Sequence, residues 1–285
     1  MPSRILSIPL VLAALFFLYL TWEVDTRYSA YIVPFVVGLA LVFTLSPQIN
    51  WWWYQRYPPD LKGKLRGLLE RFFPYYQRLA DTEKKRFRHR VALYMEANDF
   101  MAKGMDEVSP DLKVVTAASA VQVTFGRQDF LMNTFEHLIY FPQPFPSPQY
   151  PENYHASEIY EKDGAVLFSA EQLMKGFLTP DRFYPIGLHE YVKVFERHSP
   201  SILFPELPES HWGELQQISG FSKAWIQKWI NLDLEHIPLQ AVSITHFFSY
   251  PQAFYKLLPE LYEQYAFIFN QSPGKAETPV LGELL

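Results

Sequence analysis

The chain contains no cysteine. That excludes disulfides, thiolate metal sites and a cysteine nucleophile, and it fits a reducing compartment. Basic residues do not dominate either: 25 Lys and Arg against 30 Asp and Glu leave a net charge of −5, which argues against a nucleic-acid partner. Internal repeats and low-complexity tracts are missing. What is abundant is apolar and aromatic matter, 49% and 17% of the 285 residues, enough for one sizeable core plus additional segments.

Much of that apolar matter is concentrated at the start. Ile5–Trp22 and Tyr28–Leu45 are each 18 residues long and carry no charge. As helices they would extend about 27 Å at 1.5 Å per residue, close to the ~30 Å of a hydrocarbon core. Trp22, Tyr28 and Trp51-Trp52-Trp53-Tyr54 stand where interfacial aromatics belong. A cleaved signal peptide is disfavoured, because the first run lacks a small-x-small cleavage site and a second run follows at once. The expected organisation is therefore a transmembrane hairpin over residues 1–55, a soluble domain over 56–275 and a loose tail over 276–285. Arg4 before the first run and Arg56, Lys62, Lys64 and Arg66 after the second place both ends, and the soluble domain, on the cytoplasmic side.

Tyr57-Pro58-Pro59-Asp60 reads as the boundary of the soluble part. Beyond it the pattern predicts a short basic helix over Lys64–Phe73 and a helix starting at Asp81-Thr82-Glu83. A buried, small-residue helix follows Ser109-Pro110. His137–Phe141 reads as a strand. Ser157–Tyr160 and Ala165–Phe168 read as a hairpin around Asp163-Gly164. From Pro180 onward the reading is mostly helical, with Pro251–Asn270 as one amphipathic helix and a loose tail from Gln271.

The chemistry is concentrated in Ile186–His198. His189-Glu190 begins a His-Glu-x-x-His pattern, in which two histidines four apart on one helix face grip a zinc ion and the Glu serves as general base. Here Lys193 stands at the second histidine position. A protonated amine is no zinc ligand. His198, nine residues beyond His189, lies about 180° around the helix. Lys193 is spaced instead to reach Glu190 or Glu196.

Several segments in order resemble the MtfA (Mlc titration factor A) family of zinc peptidases. They are the helix over residues 82–100 leading to Phe100–Gly104, Asp111–Ala120, Leu138–Pro142, Gly164–Ser169, Leu188-His189-Glu190, Ala241-Val242 with Phe247-Phe248, Pro259–Tyr262 and Phe269–Pro273. The resemblance spans about 200 residues and leaves out the first 55. It implies an α+β, mostly helical, gluzincin-like metallopeptidase domain with a small sheet, preceded here by the transmembrane hairpin. It also implies zinc held by two helix histidines and a later Glu. Carried over, His189 is the first ligand and Glu190 the general base. The second ligand position is Lys193, and the acidic positions of the later helix fall on Pro238 and Thr245. His246 and His236 are the available substitutes.

The reading that follows is a membrane-anchored, MtfA-like protein of the bacterial inner membrane. It is catalytically inactive, without a zinc cofactor, and acts as a peptide- or protein-binding or regulatory module. Ala165, Val166, Leu167 and Phe168 would serve as the edge strand that receives a peptide. The alternative is an active zinc peptidase with a remodelled site that uses His189, Glu190 and His246 or His236. A third class, a structural membrane protein, predicts a filled site behind His189.

Overall fold

The computed structural model describes residues 2–274, so the tail expected over 276–285 lies outside the described residues. The chain divides into two compact units, Met1–Pro59 and Asp60–Leu285.

In the first unit, α1 (Pro2–Glu23) leads through a 3₁₀ turn (Thr26–Tyr31) into α2 (Ile32–Thr44) and then α3 (Ser46–Arg56). The segments Pro2–Glu23 and Thr26–Thr44 are long and apolar enough to cross a membrane. Phe17 of α1 stacks on Tyr31 and on Phe35 of α2, with ring centroids 5.5 and 5.6 Å apart. Leu12, Leu15 and Phe16 on α1, and Val33, Val36 and Leu41 on α2, remain exposed. That surface fits lipid better than water.

The second unit begins with α4 (Gly63–Phe72), α5 (Pro74–Arg78) and α6 (Asp81–Ala97), followed by β1 (Asp99–Ala102) and α7 (Pro110–Thr124). Ser109 caps α7 by accepting from Leu112 N–H, and twelve of its residues, Leu112 and Val114–Thr124, are buried. The strands β2 (His137–Phe141), β3 (Ser157–Tyr160) and β4 (Ala165–Ser169) come next. Then follow α8 (Ala170–Leu178), α9 (Ile186–His198), α10 (His211–Ser219), α11 (Lys223–Ile230), α12 (Leu239–Ser249), α13 (Pro251–Leu257) and α14 (Pro259–Phe269).

The sheet order is β1-β2-β4-β3, with β1, β2 and β4 parallel and β3 antiparallel to β4. The hairpin turn closes on Gly164 in the left-handed region, φ 56°. A side chain there would also strike the Thr134 carbonyl. α7 packs between α6 and α9, and α9 in turn packs on α12. The small residues of α7 allow close approach: a Cβ on Gly187 of α9 would lie 2.9 Å from Ser119 Oγ and 2.7 Å from Leu173 Cδ1.

Three expectations are corrected. Ala165–Phe168 is an interior strand, paired on both sides, because the parallel partner β2 covers its other edge; the edge strands are β1 and β3. Pro251–Asn270 is two helices. Pro259 has no N–H to continue the ladder and drives Leu258 out of the helical region, to φ −130° and ψ 59°. The segment from Gln271 is tied down as far as the described residues run. Gln271 Nε2 donates to the Gln122 and Val123 carbonyls, closing the end of α7, and Tyr262 donates to the Pro273 carbonyl.

That junction makes Gly126 indispensable. A Cβ there would lie 2.2 Å from the Asn270 carbonyl oxygen and 2.3 Å from that of Phe269. Backbone cannot yield as a side-chain tip can, so Gly126→Ala is expected to cost about 3 kcal/mol through overpacking. Urea melts of the two proteins read this directly, and an unchanged midpoint would mean that the 269–271 junction shifts freely.

Candidate functional site

α9 starts behind Pro185 and is buried from Ile186 through Phe195. Burial follows from its position among α7, α8, α12 and β3. It also makes any polar side chain on the helix that lacks a partner costly.

Glu190 has a side chain 1% exposed and Lys193 one that is 8% exposed. Lys193 Nζ lies 2.9 Å from Glu190 Oε2 and 3.1 Å from Oε1, so the ammonium straddles the carboxylate. Ser157, on edge strand β3, donates to the same Oε1 at 2.8 Å. Burial works to raise the Glu190 pKa. The facing Lys193 charge, His189 and the two hydrogen bonds outweigh it, and the carboxyl is held below its ordinary value. Arg197, one turn on, donates to the Lys193 carbonyl at 3.1 Å and pairs with Glu161. Glu196 does not take the Lys193 charge. It has a buried oxygen without a hydrogen-bond partner among the described residues, and burial pushes it up to about 7.

His189 is fully buried, and Tyr184 Oη sits 2.9 Å from its Nδ1. The Thr245 proton is committed to the Ala241 carbonyl at 2.7 Å. His189 Nε2 is buried and has no hydrogen-bond partner among the described residues. Burial, then the Lys193 and His246 charges, hold this imidazole down at about 3, so it is neutral at physiological pH.

A zinc ion at this helix would need three donors around one void. His189 could serve as one of them, since its Nε2 is free and its Nδ1 is oriented by a hydroxyl, as ligating histidines are. The others do not qualify. Lys193 is locked onto Glu190. Thr245 donates into its own helix, and Pro238 is the N-cap of α12. His246 is near, but both its nitrogens are engaged, Nδ1 with the Val242 carbonyl and Nε2 with Ser219 Oγ, each at 2.8 Å. His236 lines the cleft with Lys193 but is paired with Glu235 and edge-on to Tyr150. Among the described residues no group of three His, Asp or Glu is placed to hold a metal. The residues present do not fit the ion.

A cleft of about 580 Å³ opens beside the pair. Its walls include Glu158, Ile159 and Tyr160 of β3, Lys193 and Arg197 of α9, and Tyr150. Under the cleft, His155 Nε2 meets Glu158 Oε2 at 3.1 Å, while its Nδ1 faces the Asn153 carbonyl at 2.9 Å. The strand beside the cleft is thus β3, and Ala165, Val166, Leu167 and Phe168 form the next strand inward.

The family model described as glucose-regulated metallo-peptidase M90 matches residues 50–201, more than half of the 285-residue chain. The chain belongs to this family. The match takes in α9 with His189, Glu190 and Lys193, and stops before α12. No curated protein matches the chain. The M90 assignment agrees with the MtfA resemblance and with the helical domain and small sheet.

Of the residues singled out from sequence, the structure brings together His189, Glu190, Lys193, Thr245 and His246, while Pro238 and His236 share the walls of the neighbouring cleft with Lys193. Ser157, Tyr184 and the His155–Glu158 pair were missed. Ser157 opens β3 and Tyr184 precedes α9, and only the placement of β3 alongside α9 reveals them. His155-x-x-Glu158 had a spacing that could have been flagged.

Proposed function

We propose that this is a membrane-anchored M90-family protein that no longer cleaves peptides and uses its former substrate cleft to bind them. The observation that carries the reading is the buried Lys193–Glu190 pair. It supplies the positive charge that zinc would bring to Glu190, and it occupies the second ligand position. With Glu190 ion-paired to Lys193 and its Oε1 hydrogen-bonded by Ser157, its charge is already engaged, which weakens it as a base toward water. Edge strand β3, whose Glu158, Ile159 and Tyr160 line the cleft, offers the surface for strand addition. The apolar helices of the first unit supply the anchor, and the basic residues that flank them favour a cytoplasmic second unit.

A peptidase assay on the full chain tests this: unstructured protein substrates should stay intact with or without added zinc, and Lys193→Ala should not start cleavage. Cleavage by the wild-type chain that a chelator stops and zinc restores would contradict it. The second reading, an active zinc peptidase, has the free buried Nε2 of His189 in its favour.

A further inference from the structure

A separate cavity of about 200 Å³ opens at the N-terminal end of α9 and shares no lining residue with the β3 cleft. Phe73, Leu173, Phe177, Leu188, Phe248 and Tyr250 give the wall its apolar character. Five residues with uncharged polar or charged side chains besides the tyrosines interrupt that wall: Ser119, Gln122, Ser249, Arg78 and Asp181.

Gln122 is the unusual one. It is 2% exposed, yet its side-chain amide makes no hydrogen bond to any described residue. Only its carbonyl is used, by Gln271. The amide faces the cavity, where a bound group can take its hydrogen bonds. Ser119 is not available as a donor, because its hydroxyl donates to the Val115 carbonyl at 2.9 Å.

The backbone adds donors at the same place. α9 begins at Ile186 with Pro185 as N-cap, no side-chain cap and no acidic residue in the first turn. Gly187 and Leu188 both line the cavity, and their N–H groups lie ahead of the first helical acceptor; among the described residues neither finds one. This is the positive end of a thirteen-residue helix. At the rim, exposed Arg78 donates only to the Phe248 carbonyl, at 3.1 Å, and no carboxylate pairs with it among the described residues. Exposed Asp181 is the one acid on the lining and disfavours an anion at the mouth on its side.

We propose that this cavity binds a small monocarboxylate with an aromatic or branched aliphatic body, its carboxylate received by the Gln122 amide and the first-turn N–H groups of α9. The apolar wall takes the body, and Arg78 draws the anion in from the rim. The volume sets the size: a dry cavity of about 150 Å³ holds benzene, so the space suits a benzoate-sized acid and is too small for a long acyl chain. This site stands independently of whether His189 ever holds a metal.

The test is calorimetric titration of benzoate into the full chain in lipid nanodiscs, with benzyl alcohol as the neutral analogue. Benzoate should bind saturably and at least about tenfold more tightly than the alcohol. Gln122→Leu should weaken benzoate by about tenfold or more and leave the alcohol unaffected, and Leu173→Trp should abolish both. Arg78→Gln, a rim change that leaves the core intact, should slow and weaken benzoate binding and flatten its salt dependence. Should Gln122→Leu fail to fold, Gln122→Glu gives the same reading through repulsion. Absence of saturable binding overturns the proposal, as does equal affinity for the two probes or unchanged benzoate affinity in the Gln122 variants.

Discussion

Replacing Lys193 by methionine should destabilise the protein by about 3–5 kcal/mol, the cost of removing one partner from a buried ion pair. Methionine keeps the length and most of the volume of the lysine stem, so packing changes little. What is lost is the ammonium held 2.9 and 3.1 Å from the Glu190 oxygens. The Ser157 hydroxyl, at 2.8 Å, cannot offset a full buried charge alone. Glu190 would then protonate: its pKa, held down in the wild type, rises once burial is unopposed. A raised carboxyl pKa contributes stability at low pH that is lost as pH rises through it. The deficit of Lys193→Met should accordingly be smaller at pH 5 than at pH 8. Glu190→Gln with Lys193→Met should recover most of the loss, since removing both charges leaves neither uncompensated. Thermal melts of the four proteins close the cycle, and additive losses would mean that the two side chains are not coupled. The same pair on a solvent-exposed helix face would be worth only a few tenths of a kcal/mol.

Acid should destabilise the wild-type protein from about pH 6.5 downward, well before carboxylates alone would do so. Burial holds His189 at about 3 and His246 at about 4. In the unfolded chain both titrate near 6.5. Their folded pKa values are depressed, so their contribution is complete above about 6.5 and is lost as pH falls. In the window down to about 4 the unfolded chain binds two more protons at these positions than the folded one. Glu196 acts the other way: burial pushes it up to about 7, so from its ordinary value near 4.3 up to 7 the folded state holds one proton more. The net difference is one proton, and stability should fall by about 1.4 kcal/mol per pH unit between about 6.5 and 4.5. Glu196→Gln removes the opposing group and should roughly double that slope. Urea unfolding across this range, followed by tryptophan fluorescence, checks both; a flat wild-type profile would mean that the histidines are solvated.

Much of this architecture could be read from local signals. Ser109-Pro110 announced α7, its run of Ala and Val announced a buried helix, and Asp163-Gly164 announced the β3–β4 hairpin. Other features escaped because their causes are not local. β1 is four residues long, paired only along one edge with β2, and too short for a period to register. The placement of β4 inside the sheet depends on β2, which is distant in sequence and matched to it only in three dimensions. The α13–α14 break was legible after all: Leu258-Pro259 carries its own stop signal, which the continuous apolar stripe concealed. At the site, spacing alone brought Lys193 within reach of both Glu190 and Glu196. The choice of Glu190 was decided by Ser157, arriving from β3, and by the deeper burial of that carboxylate.

The site itself divides in the same way. His189 retains a ligand's posture, with Nδ1 held by Tyr184 and Nε2 free. The groups around it have other commitments, and those commitments run through residues as far apart as Ser157, Ser219 and Thr245. Whether one suitable nitrogen is enough is a question of affinity. The protein, purified without a polyhistidine tag in a mild detergent and dialysed against micromolar zinc, can be assayed for metal by mass spectrometry alongside its His189→Ala variant. The ion-pair account predicts far less than one zinc per chain and no difference between the two proteins. One equivalent in the wild type that disappears in His189→Ala would contradict it.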